Sequence, residues 1–252
     1  MEHSPLPPGW SLTDIGSITS EAQPGFKCGK RDGNGFVQLR TNNIGLRGVV
    51  VQDSVLRIPR SLTNITRYKL QKGDILFNNT NTPKLVGKTV LFTGETTDCV
   101  YSNHITRLRV IEGLAEPSWL AWFLVLQQQV GAFERICHRS VNQATVSGSD
   151  LLRLRVPLPP FAEQLRTAAR IGDLLGELGA TRQALEKAHS SMEGLRRSLM
   201  VAACRGDLTE RDQYQVPARR ILERVTDERK KRRAEGGRRG GDLSSEETDG
   251  SR

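Results

Sequence analysis

The 252-residue sequence predicts an α+β protein, in which a mainly β domain with one packed helix precedes a long coiled-coil helix and a basic, partly disordered tail. Three observations support this fold class. Short runs rich in Val, Ile, Leu and Phe, broken by Gly, Asn and Pro, fill the first 116 residues. Apolar residues then repeat every seven positions between residues 171 and 202. Residues 235 to 252 contain almost nothing to bury, which is typical of disorder.

The mainly β domain is predicted from five runs in which apolar and polar residues are interleaved. They are GFVQLRTNNIG (35–45), RGVVVQDSVLRI (47–58), GDILF (73–77), KTVLF (88–92) and NHITRLRV (103–110). A different period starts at Pro117, where apolar residues recur every three or four positions. Its members are Trp119, Trp122, Leu126, Val130, Phe133 and Cys137. This spacing predicts an amphipathic helix packed on the core.

The heptad segment predicts a coiled-coil helix with a narrow apolar seam. One set of seam positions is Ile171, Leu178, Leu185, Met192 and Leu199, and the other is Leu174, Thr181, Ala188, Leu195 and Ala202. The glycines at 172, 176, 179 and 194 fall outside both sets. We expect a partner helix to cover the seam in a dimer, with packing against the N-terminal domain as the alternative. Gly206 is the predicted stop signal.

The tail predicts one more helix over residues 217–234, with Ile221, Leu222 and Val225 as its only apolar stripe. The run RKKRR (229–233) within it is either a phosphate contact or a solvated charge run.

Charge favours a polyanionic partner. The formal net charge is +9, and residues 1–160 carry 18 Lys and Arg against 12 Asp and Glu. Residues 211–252 carry 12 against 9, whereas residues 161–210 are neutral. Lys and Arg contacts to phosphate supply much of the affinity for nucleic acid, and simple solubility is the alternative explanation.

Several classes of protein find no support in the sequence. Residues 1–10 lack a basic start and an apolar core, and the run WLAWFLVL is too short to span a membrane, so we expect a cytoplasmic protein. The four cysteines are far apart and predict reduced thiols without a metal or disulfide framework. No phosphate loop, HExxH, GxSxG or adenosylmethionine motif is present. We therefore expect a binding protein with no catalytic residue and no metal.

The segment YKLQKGDILFNNTNTPKLVGKTVLF (68–92) places a polar stretch between two strand-like runs. A connection that only reverses the chain would more usually use Asn-Gly, Asp-Gly or Pro-Gly. Asn, Thr and Lys side chains instead suit contacts to a ligand.

Five stretches, taken in order, resemble the specificity subunit of type I restriction-modification enzymes. PLPPGWSLTDIGSI (5–18) is similar to the start of a target-recognition domain, and FVQLRTNNIGLRG (36–48) resembles the strand with an arginine followed by Asn-Ile. KGDILFNNTNTPKLVGKTVLF (72–92) resembles the Gly-Asp-Ile-Leu segment with its Asn-rich loop. The run at 140–166 resembles the approach to the family's spacer helix, with PLPPFAEQ as the clearest marker, and LRRSLMVAACRGDLT (195–209) resembles its end. The resemblance covers residues 5–234.

The resemblance implies three parts: a DNA target-recognition domain at 1–160, a coiled-coil spacer helix for dimerisation and methyltransferase docking at 161–210, and a basic tail at 211–252. In such a domain Asn pairs with adenine, Lys and Arg with guanine or phosphate, and Thr with phosphate or the thymine methyl group. The candidate DNA-binding residues are Arg40, Asn42, Asn43, Asn78, Asn79, Thr80, Asn81, Thr82, Lys84, Lys88, Asn103, His104, Arg139, Asn142 and Gln143. The candidate dimer seam is Ile171, Leu174, Leu178, Leu185, Ala188, Met192, Leu195 and Leu199. An ordinary turn or capping role is the alternative for each of the DNA-binding candidates.

The family's usual chain has two recognition domains and two spacer helices, whereas one set is present here. The resemblance therefore implies a half-length subunit, which pairs antiparallel with a second copy to read two inverted half-sites. A separately encoded half or a truncated gene are alternatives. A helix from Ile171 to Ala202 is ~48 Å long at 1.5 Å per residue, on the order of 14 base pairs.

The family also implies a division of labour. Two methyltransferase subunits bind S-adenosylmethionine and methylate a flipped adenine, so no cofactor is expected in this chain, and a restriction subunit joins in some assemblies. Two other functions stay open from the sequence alone. One is a coiled-coil adaptor whose basic β domain binds something other than DNA, and the other is an enzyme with an unrecognised site, such as a nuclease.

Overall fold

The computed structural model describes residues 5–45, 55–62, 64–94, 98–141, 143–209 and 217–239. The chain divides into two compact units, residues 1–180 and 181–252, with the boundary inside the longest helix. The first unit holds the β structure, as the sequence predicts, and the overall class is α+β.

Twelve short strands lie within the described part of the first unit. They are β1 (Ser11–Asp14), β2 (Thr19–Pro24), β3 (Phe36–Leu39), β4 (Leu56–Ile58), β5 (Ile75–Asn78), β6 (Thr80–Asn81), β7 (Thr89–Leu91), β8 (Cys99–Tyr101), β9 (Ile105–Val110), β10 (His138–Ser140), β11 (Gln143–Thr145) and β12 (Arg155–Leu158). The α-helices are α1 (Pro117–Gln129), α2 (Ala132–Ile136), α3 (Gly148–Leu152), α4 (Phe161–Arg205) and α5 (Ala218–Arg239). Three single-turn helices lie at Ile15–Ile18, Thr41–Asn43 and Ile65–Tyr68.

The strands form small sheets. The largest has the order β2-β9-β5-β7 and is antiparallel throughout. A second sheet has the order β4-β3-β8, in which β3 and β8 run parallel. A third sheet, β10-β11-β6, and the pair β1-β12 complete the set. Because β12 pairs with β1, the chain returns to its N-terminal strand immediately before α4 begins.

The main core lies between the four-stranded sheet and helices α1 and α2. Phe77 of β5 and Phe133 of α2 meet edge to face, with ring centroids 5.0 Å apart. Gly87 lies against the same ring with φ +85°, and a Cβ there would stand 2.1 Å from Phe133 Cδ2. Only glycine therefore lets the loop after β6 pack on this aromatic pair.

The predicted strands are confirmed in part. The runs at 73–77, 88–92 and 103–110 contain β5, β7 and β9. The run at 35–45 is a strand only in its first half, because Thr41–Asn43 forms a single-turn helix closed by the Asn43 side chain. Of the run at 47–58, residues 46–54 lie outside the described residues and Leu56–Ile58 is β4.

The helix predicted from Pro117 to Cys137 is interrupted. It ends at Gln129, and α2 starts after Gly131, which has a φ of 72° in the left-handed region. Glycine adopts that conformation without strain, so the chain turns between the two helices. Both remain packed on the core, since Leu120, Leu124 and Phe133 are fully buried.

A buried glutamine fastens the start of α4 to the first unit. Gln164, in the stretch PLPPFAEQ, is inaccessible to solvent. Its Oε1 accepts from the Glu116 amide at 2.8 Å, and its Nε2 donates to the carbonyl oxygens of Leu114 and Pro159 at 3.1 and 2.9 Å. One side chain thus satisfies three backbone groups that would otherwise be buried unpaired. The stretch PLPPFAEQ, the clearest marker of the resemblance, therefore attaches the start of α4 to the first unit through Gln164.

Two arginines of β9 form an ionic network inside the domain. Arg107 is 1% exposed; it ion-pairs with Glu21 and donates to Gln23 Oε1 at 2.8 Å and to the Arg67 carbonyl oxygen at 3.1 Å. Arg109 makes two hydrogen bonds to Asp74, at 2.7 and 3.2 Å, which raise the pKa of Arg109. Both charges are therefore compensated within the domain.

In the single chain, the predicted seam of helix α4 is exposed to solvent. Leu178, Leu185 and Met192 are 65%, 70% and 65% exposed. The helix ends at Arg205, where Gly206 has a φ of 76°. The amides of Gly206 and Asp207 return to the carbonyl oxygens of Ala203 and Ala202, so the predicted glycine stop is confirmed as a Schellman motif.

Helix α5 contains the predicted helix at 217–234 and continues to Arg239, so residues 235–239 are helical where disorder was predicted. Residues 240–252, also predicted to be disordered, lie outside the described residues. The four cysteines are free thiols, as predicted, and burial raises the pKa of Cys99 to about 12. Among the described helices none is both long enough and apolar enough to cross a membrane.

Candidate nucleic-acid interface

The Asn- and Thr-rich segment is the edge strand of a small sheet. Thr80 and Asn81 form β6, which pairs antiparallel with β11 through Thr80↔Thr145 and Asn81↔Ala144. Strand β10, which contains Arg139, pairs with the other edge of β11, and Arg139 lies opposite Ala144. The candidate residues at 80–81 and those at Arg139 and Gln143, some 60 positions apart in sequence, therefore share one sheet. Asn142 lies outside the described residues.

Asn78 and Asn79 tie this sheet to the turn at 103–104. Asn78 is fully buried; with its amide oriented to suit its neighbours, Nδ2 donates to the Thr80 and His104 carbonyl oxygens at 2.8 and 3.2 Å. Asn79 donates through Nδ2 to Thr106 Oγ1 at 2.9 Å, and its backbone N–H donates to the His104 carbonyl oxygen at 3.1 Å. These contacts hold the candidates at 78–82 beside Asn103 and His104.

Lys88 attaches the segment at 40–43 to the same part of the domain. Its Nζ donates to the Thr41 carbonyl oxygen at 2.8 Å, and burial lowers the pKa of Lys88. Asn43 is 1% exposed, and its Oδ1 accepts from the Arg40 amide at 2.9 Å. Arg40 is half-buried, and its Nε has no hydrogen-bond partner within the described residues. The turn at 41–43 is thereby fixed next to the loop that precedes β7.

Burial separates the candidates into two groups. Asn43, Asn78 and Lys88 are buried and bonded inside the fold, where their hydrogen bonds hold the neighbouring exposed candidates in place. Arg40, Asn79, Thr80, Asn81 and His104 are half-buried. The exposed candidates are Asn42, Thr82, Lys84, Asn103, Arg139 and Gln143, and we name them the recognition face.

The recognition face carries side chains suited to the edges of bases and to phosphate. Lys84 and Arg139 supply cations, and the only described ion pair of either is Arg139 with Glu134 at 3.5 Å. Amide and hydroxyl groups of Asn103, Gln143 and Thr82 supply both donors and acceptors. A cleft of about 330 Å³ is lined by Asn79, Thr80, Asn103 and Thr145 and by apolar residues that include Leu151 and Leu152. Among the described residues, no three His, Cys, Asp or Glu side chains group as a metal site.

His138 is a polar residue of this sheet that sequence reasoning did not single out. Its Nε2 lies 3.2 Å from Asp150 Oδ2, and the Ser147 hydroxyl donates to the same oxygen at 2.6 Å. The bond from Ser147, followed by that from His138, lowers the pKa of Asp150. Its position next to Arg139 gave no signal, because successive side chains of a strand point to opposite faces of the sheet.

Comparison with known proteins assigns the family. Residues 11–187 match the family model described as "Type I restriction modification DNA specificity domain". The specificity subunit of the type I restriction enzyme EcoKI from Escherichia coli K12 is 26% identical over 224 residues, a stretch that covers 84% of this chain and 48% of that protein. The chain thus spans about half the length of the curated relatives it matches.

Solved structures agree on the fold. The HsdS subunit from Thermoanaerobacter tengcongensis matches with a TM-score of 0.57 and 19% identity, covering 86% of this chain and 53% of that one. A chain from a structure titled for the complex assembly and conformational transition of the type I R-M system matches with a TM-score of 0.62 and 21% identity, over 82% and 48% of the two chains. With residues 11–187 matched by the family model, the chain belongs to the type I restriction-modification DNA specificity domain family.

Proposed function

We propose that this chain is the DNA-reading specificity component of a type I restriction-modification complex, and that it carries no catalytic group of its own. The proposal rests on one observation: the exposed candidates come from four separate segments that hydrogen bonds and strand pairing join to one domain. They are Asn42, Thr82 with Lys84, Asn103, and Arg139 with Gln143. A surface of this kind reads base edges through amide groups and grips phosphate through Lys and Arg. Two features support the scaffold's rigidity: the buried hydrogen bonds of Asn78 and the Lys88 bond to Thr41.

The chemistry of methyl transfer belongs, in this proposal, to separate methyltransferase subunits that bind S-adenosylmethionine. This chain holds those subunits at a chosen site on duplex DNA. A restriction subunit is a further partner of the assembly.

We further propose that two copies of the chain pair through α4. The exposed seam residues Leu178, Leu185, Met192 and Leu195 form an apolar stripe that a single chain leaves in water. The chain matches about half of a curated subunit, so two copies supply two recognition domains. Two identical domains related by a twofold axis read inverted copies of one half-site.

The experiment that tests recognition is a selection from random duplexes with the purified chain. The wild-type chain is expected to enrich one defined half-site. The triple variant T82A/K84A/Q143A is expected to lose this enrichment, because each base contact contributes about 1 to 3 kcal/mol of discrimination. All three side chains are exposed, so the variant is expected to keep the wild-type unfolding midpoint.

A matched control removes the same kinds of side chain from α4. The variant S190A/K187A/Q183A also deletes one hydroxyl, one Lys and one Gln from exposed positions. It is expected to enrich the wild-type sequence. Enrichment that survives in the recognition-face variant would place base reading elsewhere on the domain. A wild-type chain that enriches nothing and binds duplexes with no dependence on salt would favour the adaptor function.

A further inference from the structure

Helix α5 carries a dense positive charge that acidic residues of the helix compensate only in part. Between residues 218 and 233 it has eight Lys and Arg residues against three Asp and Glu residues. Every described side chain of this helix is exposed. Its described ion pair is Arg219 with Glu223 at 3.1 Å, at the start of the helix. The five consecutive cations 229–233 take part in none of the described ion pairs.

The arrangement of these five cations is set by the helix. Successive residues advance about 100° around the axis, so residues 229–233 surround the whole circumference with charge. Their axial spacing is about 1.5 Å, close to the one negative charge per roughly 1.7 Å that duplex DNA presents along its axis.

The remaining side chains of the helix argue for an electrostatic contact. Ile221, Leu222 and Val225 are 51%, 65% and 40% exposed, and they occupy only the first half of α5. Of the acidic residues of α5, Glu223, Asp227 and Glu228 precede residue 229 and Glu235 follows residue 233. The segment 229–233 is therefore purely cationic, which suits a backbone contact that carries no sequence information.

We infer that residues 229–233 of α5 form a second DNA contact, which binds the phosphate backbone of duplex DNA independently of its sequence. This inference rests on the proposed function, because it assigns the duplex as the ligand. The contact adds affinity equally on target and non-target DNA. It leaves the choice of sequence to the recognition face.

The test compares two quintuple variants of the full chain. In the first, R229Q/K230Q/K231Q/R232Q/R233Q, glutamine keeps side-chain length and helix propensity while it removes the charge. The second, R166Q/R170Q/K187Q/R196Q/R197Q, removes five exposed cations from α4 and keeps the Arg182 to Glu186 pair. Circular dichroism and sedimentation first establish that each variant keeps wild-type helix content and size.

Binding is measured against salt on a duplex of random sequence and on the duplex enriched in the selection above. The α5 variant is expected to lose affinity for both duplexes by roughly tenfold or more, and the slope of log affinity against log salt is expected to become shallower by about 2 to 4. The ratio of the two affinities stays at the wild-type value. The α4 variant keeps the wild-type slope.

An unchanged slope in the α5 variant would overturn the inference, as would an equal loss in both quintuple variants. So would a weakened interaction of the α5 variant with vesicles containing phosphatidylserine while duplex binding stays constant. A wild-type chain that binds neither duplex would instead remove the proposed function. The recognition-face variant separates the two claims, because it loses the affinity ratio while the removal of one cation, Lys84, changes the salt slope by at most about 1.

Discussion

Replacing Arg107 with methionine is expected to lower the free energy of unfolding of the first unit by about 1 to 3 kcal/mol. The guanidinium is 1% exposed, and it satisfies Glu21, Gln23 and the carbonyl oxygen of Arg67. Methionine fills much of the volume but removes these bonds, and the Arg67 carbonyl oxygen loses this donor, which is costly for a buried acceptor. Glu21 keeps its ion pair with Arg109 at 3.1 Å, and Gln23 Oε1 keeps the bond from the Tyr101 hydroxyl at 3.2 Å. Denaturant unfolding followed by tryptophan fluorescence measures the change, since Trp10, Trp119 and Trp122 all lie in this unit.

The matched control is Arg139→Met, which removes an exposed arginine with one ion pair at 3.5 Å. It is expected to change the free energy of unfolding by less than about 0.5 kcal/mol. An Arg107→Met variant that unfolds at the wild-type denaturant concentration would contradict the structural role of the network. Loss of DNA binding by Arg139→Met at unchanged stability would agree with its place on the recognition face.

Two acidic substitutions in the seam, Leu178→Asp with Leu185→Asp, are expected to weaken self-association by roughly a thousandfold or more. Each leucine contributes about 1.5 to 3 kcal/mol when its side chain moves from water into an interface, and a dimer contains two copies of each. In the isolated chain both side chains are largely exposed, so the cost falls on the dimer and little of it on the monomer. Sedimentation velocity over a concentration series measures the change.

The control for this variant introduces the same residues on the opposite side of the helix. Gln183 and Ser190 are exposed and lie at the heptad positions farthest from the seam, so Gln183→Asp with Ser190→Asp matches the change in charge and helix propensity. It is expected to leave self-association within a few tenths of a kcal/mol of wild type. A wild-type chain that stays monomeric when it is concentrated would contradict pairing between two copies and favour a separately encoded partner half.

Local periodicity explains which elements the sequence predicts well. The seven-residue repeat of α4 and the glycine at its end depend only on residues close in sequence, and both are present in the structure. Strand β6 is the opposite case. Its residues Thr80 and Asn81 have the composition of a loop, and they become a strand only because β11 supplies a pairing edge from about 60 residues away.

Burial of polar residues is the feature of the candidate site that residue types do not predict. Asn43, Asn78 and Lys88 have residue types that suit DNA contacts, and their neighbours in sequence are exposed. Each is drawn inside by a specific backbone partner: the Arg40 amide, the Thr80 and His104 carbonyl oxygens, and the Thr41 carbonyl oxygen respectively. Because these partners lie on tertiary neighbours or in an unforeseen turn, no pattern of residue types predicts them.

The same limit applies to charge. Arg107 and Arg109 contribute to the positive balance of residues 1–160, yet Glu21 and Asp74 neutralise them inside the domain. The charge available to DNA in the first unit is therefore carried by exposed residues such as Lys84 and Arg139. The count of Lys and Arg along the sequence indicates the sign of the partner's charge, but it does not indicate which residues make the contact.

A map of methylated adenines in host cells with and without this gene tests the central claim most directly. Deletion is expected to remove methylation at one split motif and to leave all other motifs unchanged, because the proposed function of the chain is to direct methyltransferase subunits to that motif. The two halves of the motif are expected to be inverted copies, as pairing of two identical chains requires. An identical map after deletion, in cells that express the methyltransferase, would contradict the account.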